Sequence, residues 1–565
     1  MKNSRNYLQG SKNLGQPFRP WPQRWLNLLK FTTTRILLLL LLVCLPNSGA
    51  TALRPPVAIT AYSLEVSFDL RRGKIQGQAI IQAPPGQKLV IHPGELTITK
   101  LTETGRRQAV NSGRKGGALI LFPQNPVHLT YEATLKSSGE NRITEGGLVL
   151  QGRWYPQVEG FCRFKLTAAL PAGFVAVSEA DRITKEEKAG QALFHFDFPY
   201  PRHDSAGISL VASNRFVTSN TTCKGIELWT YFFPEEAPLA AGYLERTKVL
   251  LEKYQNLFGP FPYRRLAIVE SFLNFSLSLP TYVLLNREKL PEKDLADSSL
   301  DHELVHQWFG CGVSPDFEGG NWCEGIATYF SDHLQAEGKN AAWIYRRQLL
   351  AECQKQQPKI MEFALRDFTV GVGPPSRSVG YGKGALVFHM LRRQVGDQDF
   401  AAAVRQFFLT HRFTVASWTD IQKSFERVTN RNLSWFFRQW VDEAGQPQIA
   451  IKKLEIANKN REYTVNLELS QEGQPKRLAL PVTFKGPKGD SNFQVELDRG
   501  EKSFSFQLNF QPEAVVVDKD YTVFRALLPA EYPPARALSL SIGNVAPNSE
   551  NITRGIRRRI NFSAN

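Results

Sequence analysis

The chain has 565 residues, of which 42% are hydrophobic and 22% are charged, and this composition excludes a largely disordered or fibrous protein. Its formal net charge of +16 is concentrated at the two ends, since the first 35 residues hold seven Lys or Arg and no acidic residue. Charge placed in this way favours targeting and solvated termini over a nucleic-acid-binding surface, so we predict no nucleic-acid partner. The length exceeds one ordinary core, and several domains are expected.

The N-terminal segment, residues 1–52, has the pattern of a secretory signal. Basic residues lead to the apolar run ILLLLLLVCL and then to Ala50-Thr51-Ala52, a small-residue cleavage site. The apolar core is about ten residues, short of the roughly 20 that a spanning helix needs. We therefore predict export to the periplasm, the cell envelope or the medium. An uncleaved signal anchor, with membrane association through this segment, is the alternative.

Three folded regions and a tail follow. Alternating apolar runs such as YSLEVSFDL predict an N-terminal β-rich domain at 53–218. Helical spacing in AAGYLERTKVLLEKYQNLFG and GKGALVFHMLRRQV predicts a mainly α domain at 219–445, with RLAIVES as a strand near its start. Alternation then returns and predicts a small β-sandwich at 446–530. The basic remainder, 531–565, is expected to be poorly ordered. The predicted fold class is multidomain α+β.

The cysteines leave two alternatives open. Outside the predicted signal they are odd in number and include no C-x-x-C pair. In an exported chain two of them could form a disulfide, and Cys311 with Cys323 is the nearest pair in sequence. Burial as free thiols is the other interpretation. The full set is Cys162, Cys223, Cys311, Cys323 and Cys353.

The segment SLDHELVHQWFG, residues 299–310, contains the strongest chemical signal. On a helix His302 and His306 lie on one face and point to the same place, where both could bind one metal ion. Glu303 would lie beside that ion, placed to act as a general base on a water that the ion activates. A histidine pair with this spacing is also common on helix surfaces, so the motif by itself is weak evidence.

A catalytic zinc site usually has three protein ligands and one open position. Downstream of a loop rich in Gly and Pro, a new helical pattern starts near Trp322 and carries Glu324 in its first turn. Glu318 is the other nearby acid, but it lies among turn residues. We therefore predict Glu324 as the third ligand and one Zn²⁺ per chain.

These motifs resemble a known family. HELVHQWFG followed by WCEGIATYF is similar to the zinc metallopeptidases of the aminopeptidase N type, peptidase family M1, which are gluzincins. The family places eighteen residues between its second histidine and its glutamate, whereas seventeen separate His306 from Glu324 here. The resemblance implies a thermolysin-like catalytic domain at 219–445. It also indicates a divergent, bacterial-like member without the large C-terminal helical domain of many relatives.

Two further parts of the family pattern bear on catalysis and substrate. GYGKGALVFHML resembles the Y-x-K-G-A motif, which implies that Tyr381 stabilises the developing oxyanion. Without the resemblance, Tyr381 would be one more packed aromatic residue. The G-x-M-E-N segment, whose glutamate binds the substrate amine in the family, has no acidic counterpart in VESFLNFSLSLPTYVLLN, residues 269–286. Gln157 and Glu159 are candidate amine-binding residues by resemblance, or else an exposed pair at a strand end.

The sequence therefore predicts an exported zinc metallopeptidase that acts on peptides, with aminopeptidase activity as the family default. The absent glutamate puts N-terminal selectivity in doubt. The alternative from another class is a non-catalytic scaffold or binding protein of the cell envelope. The presence of Glu303 and Tyr381 beside the three ligands speaks against it. The natural substrate, exo- or endopeptidase action and the oligomeric state stay open.

Overall fold

The computed structural model describes the chain from residue 59 to residue 541 with several gaps. The described ranges are 59–105, 113–115, 117–135, 141–203, 207–271, 273, 275–290, 299–356, 363–371, 373–460, 462–532 and 539–541. The predicted signal and most of the predicted tail lie outside them. Within these ranges no helix combines the length and apolar character that crossing a bilayer requires.

The N-terminal region is built from strands. Its largest sheet has seven strands in the order β13-β14-β11-β1-β2-β7-β4, and two four-stranded sheets have the orders β10-β3-β6-β5 and β12-β15-β9-β8. The strands are β1 (Ile59–Asp69), β2 (Lys74–Gln82), β3 (Leu89–His92), β4 (Thr97–Glu103), β5 (Gly113–Lys115), β6 (Ala118–Leu121), β7 (Val127–Thr134), β8 (Arg142–Thr144), β9 (Gly147–Gln151), β10 (Gln157–Val158), β11 (Phe161–Pro171), β12 (Val175–Val177), β13 (Arg182–Lys188), β14 (Gln191–His203) and β15 (Ser209–Ser213). Strand β2 alternates exposed and buried residues along its whole length, as a sheet with one solvated face requires.

The middle region starts with a five-stranded sheet in the order β16-β17-β18-β20-β19, so β19 is an edge strand. Its strands are β16 (Val217–Cys223), β17 (Ile226–Phe232), β18 (Arg265–Ser271), β19 (Leu277–Leu279) and β20 (Tyr282–Asn286). Strand β18 is buried on both faces and pairs in parallel with β17 and β20, which explains its continuous apolar run RLAIVES. A short parallel pair, β21 (Ser314–Pro315) and β22 (Val415–Ala416), lies further on.

Helices make up the rest of the middle region. The α-helices are α1 (Ala240–Phe258), α2 (Ser299–His306), α3 (Cys323–Thr328), α4 (Leu334–Gly338), α5 (Ala342–Lys355), α6 (Gly373–Arg377), α7 (Gly384–Val395), α8 (Asp397–His411), α9 (Trp418–Thr429) and α10 (Ser434–Phe437). Short 3₁₀ turns cover Ala237–Leu239, Arg287–Lys289, Phe317–Gly319 and Leu365–Asp367, and π-helical turns cover Tyr329–His333, Ser378–Lys383 and Arg438–Asp442. The helices predicted from AAGYLERTKVLLEKYQNLFG and GALVFHMLRRQV are α1 and α7.

The C-terminal region is a β-sandwich of a three-stranded sheet, β23-β24-β27, and a four-stranded sheet, β26-β25-β28-β29. Phe484 of one sheet contacts Phe506 of the other, with ring centroids 4.9 Å apart. The strands are β23 (Gln448–Lys459), β24 (Glu462–Glu472), β25 (Leu478–Lys485), β26 (Ser491–Leu497), β27 (Glu501–Leu508), β28 (Ala514–Val517) and β29 (Ser539–Ser541), and a 3₁₀ turn covers Pro529–Glu531. The predicted mixed α+β architecture is confirmed, whereas the exact domain boundaries stay predictions.

Candidate metal centre

Helix α2 brings the two histidines together. Their Nε2 atoms are 3.1 Å apart, as the spacing of four residues on one helix face predicts. The Nδ1 atom of His306 lies 3.0 Å from the carbonyl oxygen of Phe309, and this contact leaves its Nε2 atom free for a ligand. Gly310 has a φ of 130°, in the region that favours glycine. A Cβ atom there would lie 3.3 Å from the Nδ1 atom of His306.

Glu324 lies against both histidines from the first turn of α3. Its Oε2 atom is 3.4 Å from the Nε2 atom of His302 and 3.3 Å from that of His306. Ligands about 2.0–2.1 Å from a tetrahedral zinc ion are about 3.4 Å apart, so the three donor atoms have the spacing that zinc requires. Two contacts fix the start of α3: Asn321 Oδ1 accepts from the N–H of Cys323 at 2.9 Å, and the Trp322 indole donates to the Ala416 carbonyl at 2.8 Å.

The charges of this cluster depend on one another. Burial alone would raise the pKa of Glu324, but His306 and His302 outweigh burial and hold that pKa far below its usual range. Burial alone would lower the pKa of His306, whereas the Glu324 carboxylate raises it to about 9. A half-buried carboxylate beside two imidazoles is a donor set suited to a divalent cation.

Glu303 and Tyr381 both lie close to this cluster. Glu303 is 8% exposed, and burial raises its pKa, against the opposing charges of His302 and His306. The Tyr381 ring stacks on the His302 ring with centroids 6.0 Å apart and planes 11° apart. Burial, followed by the charge of Glu324, raises the pKa of the Tyr381 phenol above its usual value, so the phenol keeps its proton at neutral pH. The arrangement supplies a carboxylate and an O–H donor beside one candidate metal position.

A family model, the peptidase family M1 domain, matches residues 273–440. These residues are therefore similar to a peptidase family M1 domain. Aminopeptidase N of Lactobacillus delbrueckii subsp. lactis is 23% identical over 232 residues, which cover 39% of this chain and 27% of that protein. Glutamyl aminopeptidase of Bitis rhinoceros is 25% identical, with 40% and 26% covered. Alanine/arginine aminopeptidase of Saccharomyces cerevisiae is 24% identical, with 53% and 37% covered. The chain thus spans between about a quarter and two fifths of the length of these relatives.

A solved structure extends the comparison to the fold. Legionella pneumophila aminopeptidase A in complex with aspartic acid superposes with a TM-score of 0.65 at 16% identity, covering 83% of this chain and 59% of that chain. The coverage extends well beyond the M1 domain, so the β-rich and helical regions share their fold with that enzyme.

A close contact between two glycines brings the segment that contains Tyr381 next to the helix that contains Glu324. A Cβ atom built on Gly325 would lie 2.8 Å from the Cα atom of Gly384, and one built on Gly384 would lie 2.8 Å from the Cα atom of Gly325. The backbones of α3 and α7 therefore touch directly after Glu324 and shortly after Tyr381. Tyr381 itself lies on the π-helical turn Ser378–Lys383, a geometry that often marks functional sites.

Gln307 fixes the edge strand β19 next to the metal helix of the M1 domain. Its amide Nε2 donates to the Ser278 hydroxyl at 2.6 Å and to the Leu279 carbonyl at 2.8 Å, and its Oε1 accepts from the N–H of Thr281 at 3.1 Å. The backbone N–H of Ser278 also interacts with the Glu303 carboxylate. Sequence reasoning missed this role of Gln307. In the sequence Gln307 is a single amide directly after the second histidine. Its complete burial, which the structure shows, is what marks the role.

Asp301, Asp332 and Thr328 are close to the metal ligands in sequence and are candidates to hydrogen-bond the zinc-binding imidazoles, but the structure gives them different surroundings. Asp301 is directed toward α1, where it accepts from the Tyr254 hydroxyl and lies 3.5 Å from the Lys253 ammonium. Asp332 is the candidate whose charge interacts with His302, and burial raises its pKa. The hydroxyl of Thr328 has no partner among the described residues, and Glu318 is exposed on its turn. Asp332 is therefore the one of these residues whose charge acts on His302.

Gln157 and Glu159 make contacts within the N-terminal region. Glu159 Oε1 lies 2.8 Å from His92 Nε2, and β10, which contains Gln157, pairs with β3. The contacts described for these two side chains do not reach the three metal-site residues, and their role in amine binding stays a prediction. His333 and His389 are buried, with 1% and 8% exposure, and neither belongs to the three clustered donors. The five cysteines among the described residues are free thiols.

Lys383, the lysine of the Y-x-K-G-A motif, is buried at the contact with the sandwich and not in the metal site. Its ammonium donates to the Glu443 carbonyl at 3.1 Å, and Glu443 also pairs with Lys476. Burial and the charge of Lys476 lower the pKa of Lys383 to about 7. This lysine therefore has a structural role in the motif.

A pH-dependent stability follows from the lowered pKa of Lys383. Between pH 7 and about 10.5 the unfolded chain holds one more proton at this residue than the folded chain, so stability gains up to about 1.4 kcal/mol per pH unit as the pH rises. We expect Lys383→Met to remove this gain. The measurement is urea unfolding of both proteins at pH 7 and pH 9.5. Equal pH dependence in the two proteins would contradict the prediction.

Proposed function

We propose that this chain is a zinc-dependent metallopeptidase that hydrolyses peptide bonds and resembles aminopeptidases in its site. The observation that carries the proposal is the zinc-like spacing of the His302, His306 and Glu324 donor atoms, 3.1–3.4 Å, with Glu303 and Tyr381 close to them. The named relatives support it, because they are aminopeptidases. The N-terminal signal pattern supports action outside the cytoplasm.

The roles of the residues follow from their places. Zinc held by His302, His306 and Glu324 would act as a Lewis acid and would activate a water molecule for attack on a peptide carbonyl. Glu303, buried and with a raised pKa, accepts a proton from that water and passes it to the leaving amine. Tyr381, which keeps its phenol proton, donates a hydrogen bond to the oxygen on which negative charge develops. Edge strand β19 offers its backbone to an extended peptide by strand addition.

Recognition of the substrate amine is where this site departs from the family pattern. Ser278 and its neighbours on β19 carry no carboxylate, and no acidic residue occurs between Glu270 and Glu288. Glu270 does not fill the gap, because its buried carboxylate accepts from the N–H of Phe233 at 2.7 Å and pairs with Arg287 at 3.2 Å. We therefore propose weak selection for a free N-terminus.

The test uses the purified chain. We expect close to one zinc per chain by elemental analysis, hydrolysis of aminoacyl-aminocoumarins, loss of hydrolysis with 1,10-phenanthroline and recovery with added zinc. Peptides that differ only by N-acetylation should be cleaved at rates within about tenfold of those of the free-amine peptides. The absence of a charged partner for the amine removes about 1.4 kcal/mol or more of the preference for a free N-terminus. A chain that binds zinc and cleaves neither peptide class would favour the non-catalytic scaffold instead.

A further inference from the structure

Three side chains form a stack that ends at the metal site. The guanidinium carbon of Arg377 lies 5.4 Å from the centroid of the Tyr381 ring, and the Tyr381 ring lies 6.0 Å from that of His302. Arg377 is the last residue of α6 and directly precedes the π-helical turn that contains Tyr381. A cation is therefore held on the tyrosine, close to the position where a substrate carbonyl would react.

Arg377 is an exposed cation without an acidic partner in the described part of the chain. Its side chain is exposed, and none of the ion pairs formed by described residues includes it. The nearby arginine Arg366 behaves differently, since it pairs with Asp442 at 2.5 Å. Stacking on Tyr381 orients the guanidinium while its N–H donors stay open to a ligand. Such a group is pre-organised for a planar anion.

Gly371 holds the stem of Arg377 close to the site. A Cβ atom on Gly371 would lie 3.1 Å from Cγ of Arg377 and 3.3 Å from the Tyr381 ring. The backbone at this point thus packs against both side chains, and only a residue without a side chain leaves them in place. Packing against Gly371 thus helps to place the stem of Arg377, in addition to the attraction between its guanidinium and the ring.

We propose that Arg377 binds a carboxylate of the peptide substrate. The inference rests on the proposed peptidase function and names its substrate class: peptides with a carboxylate near the scissile bond. Guanidinium groups bind carboxylates through two parallel N–H···O bonds. The site thus has a cation with open N–H donors on the Tyr381 ring, and its edge strand β19 carries no acid. This charge preference is the opposite of the one expected of a site that binds an amine.

Two sources of that carboxylate are distinguished by substrate pairs. Comparing hydrolysis of Glu-aminocoumarin with that of Gln-aminocoumarin tests whether an acidic side chain is recognised. Comparing a tripeptide with its C-terminal amide tests whether the terminal carboxylate is recognised. We expect the wild-type kcat/KM to favour the acid in at least one pair. Arg377→Gln should lower the acid-to-amide ratio of that pair by about 10- to 100-fold, and Arg377→Lys should keep part of it. The matched control is Arg163→Gln, an exposed arginine on β11, which should leave every rate unchanged.

A positioning role of Arg377 predicts a different result. If Arg377 acted only by orienting Tyr381, the acid and amide substrates would lose rate together and the ratio would stay constant. A constant ratio, or no preference for the acid in either pair of the wild type, would overturn the proposal.

A binding measurement separates this proposal from the peptidase proposal. In the Glu303→Gln background, calorimetry with the same peptide pairs gives Kd values without turnover. Carboxylate recognition is supported if the acid binds more tightly than its amide and Arg377→Gln abolishes this difference. This holds even if the wild type shows no hydrolysis. Equal Kd values for acid and amide refute it even if the wild type is an active peptidase.

Discussion

Replacement of Glu303 by Gln is expected to leave zinc bound and to lower kcat by about 10²- to 10⁴-fold, the range that removal of a general base produces. Glutamine has nearly the shape of glutamate, and Glu303 is not one of the three clustered donors, so the metal site should persist. What is lost is the proton acceptor. Elemental analysis of the variant and kcat on a free-amine aminocoumarin substrate together test this expectation.

Glu318→Gln is the matched control for Glu303→Gln. Glu318 is an exposed carboxylate in the same segment, between the histidines and Glu324, and its removal should change neither zinc content nor kcat. If Glu303→Gln kept wild-type activity, another group would have to take the proton and the proposed mechanism would be wrong. If Glu303→Gln lost its zinc, the residue would have a role in metal binding that the donor spacing does not give it.

The sequence was informative about this site because the decisive groups follow from local periodicity. Residues i and i+4 of a helix share a face whatever surrounds them, so His302 and His306 could be paired without coordinates. Glu324 required more, since a loop joins the two helices. Its assignment rested on the start of a second helical pattern, and the structure places its carboxylate 3.3 Å from His306 although the loop is one residue shorter than in the resembling family.

The rest of the site depends on contacts between distant residues, which periodicity does not encode. Gln307 looks like an ordinary polar residue until its amide is found to tie Leu279 and Thr281 to the metal helix. Asp301 looks as suitable as Asp332 in sequence, yet it is directed toward α1. Nothing in GYGKGALVF reveals that Lys383 is directed toward the sandwich. The sequence also does not reveal that Arg377, four residues before Tyr381, packs on the Tyr381 ring.

The contact between Gly325 and Gly384 leads to the second large expected effect. An alanine at position 325 would place its Cβ atom 2.8 Å from the Cα atom of Gly384, and backbone cannot rotate away as a flexible side chain does. The helices α3 and α7 must separate, which costs about 1–3 kcal/mol of stability. Since Glu324 precedes this contact and Tyr381 shortly precedes Gly384, the shift should also lower kcat by about 100-fold, the effect of a misplacement of about 1 Å.

Thermal unfolding and kcat measure the two parts of this expectation, and the zinc retained after dialysis shows whether the metal site persists. Gly338→Ala is the control, because a Cβ atom on Gly338 meets no atom within 4 Å and alanine favours a helix over glycine by about 1 kcal/mol. It should therefore be neutral or slightly stabilising, with full activity. A Gly325→Ala variant with wild-type melting and wild-type kcat would show that the two helices can separate without cost. The position of Tyr381 would then have to be set by its other contacts, with Phe368 and Arg377.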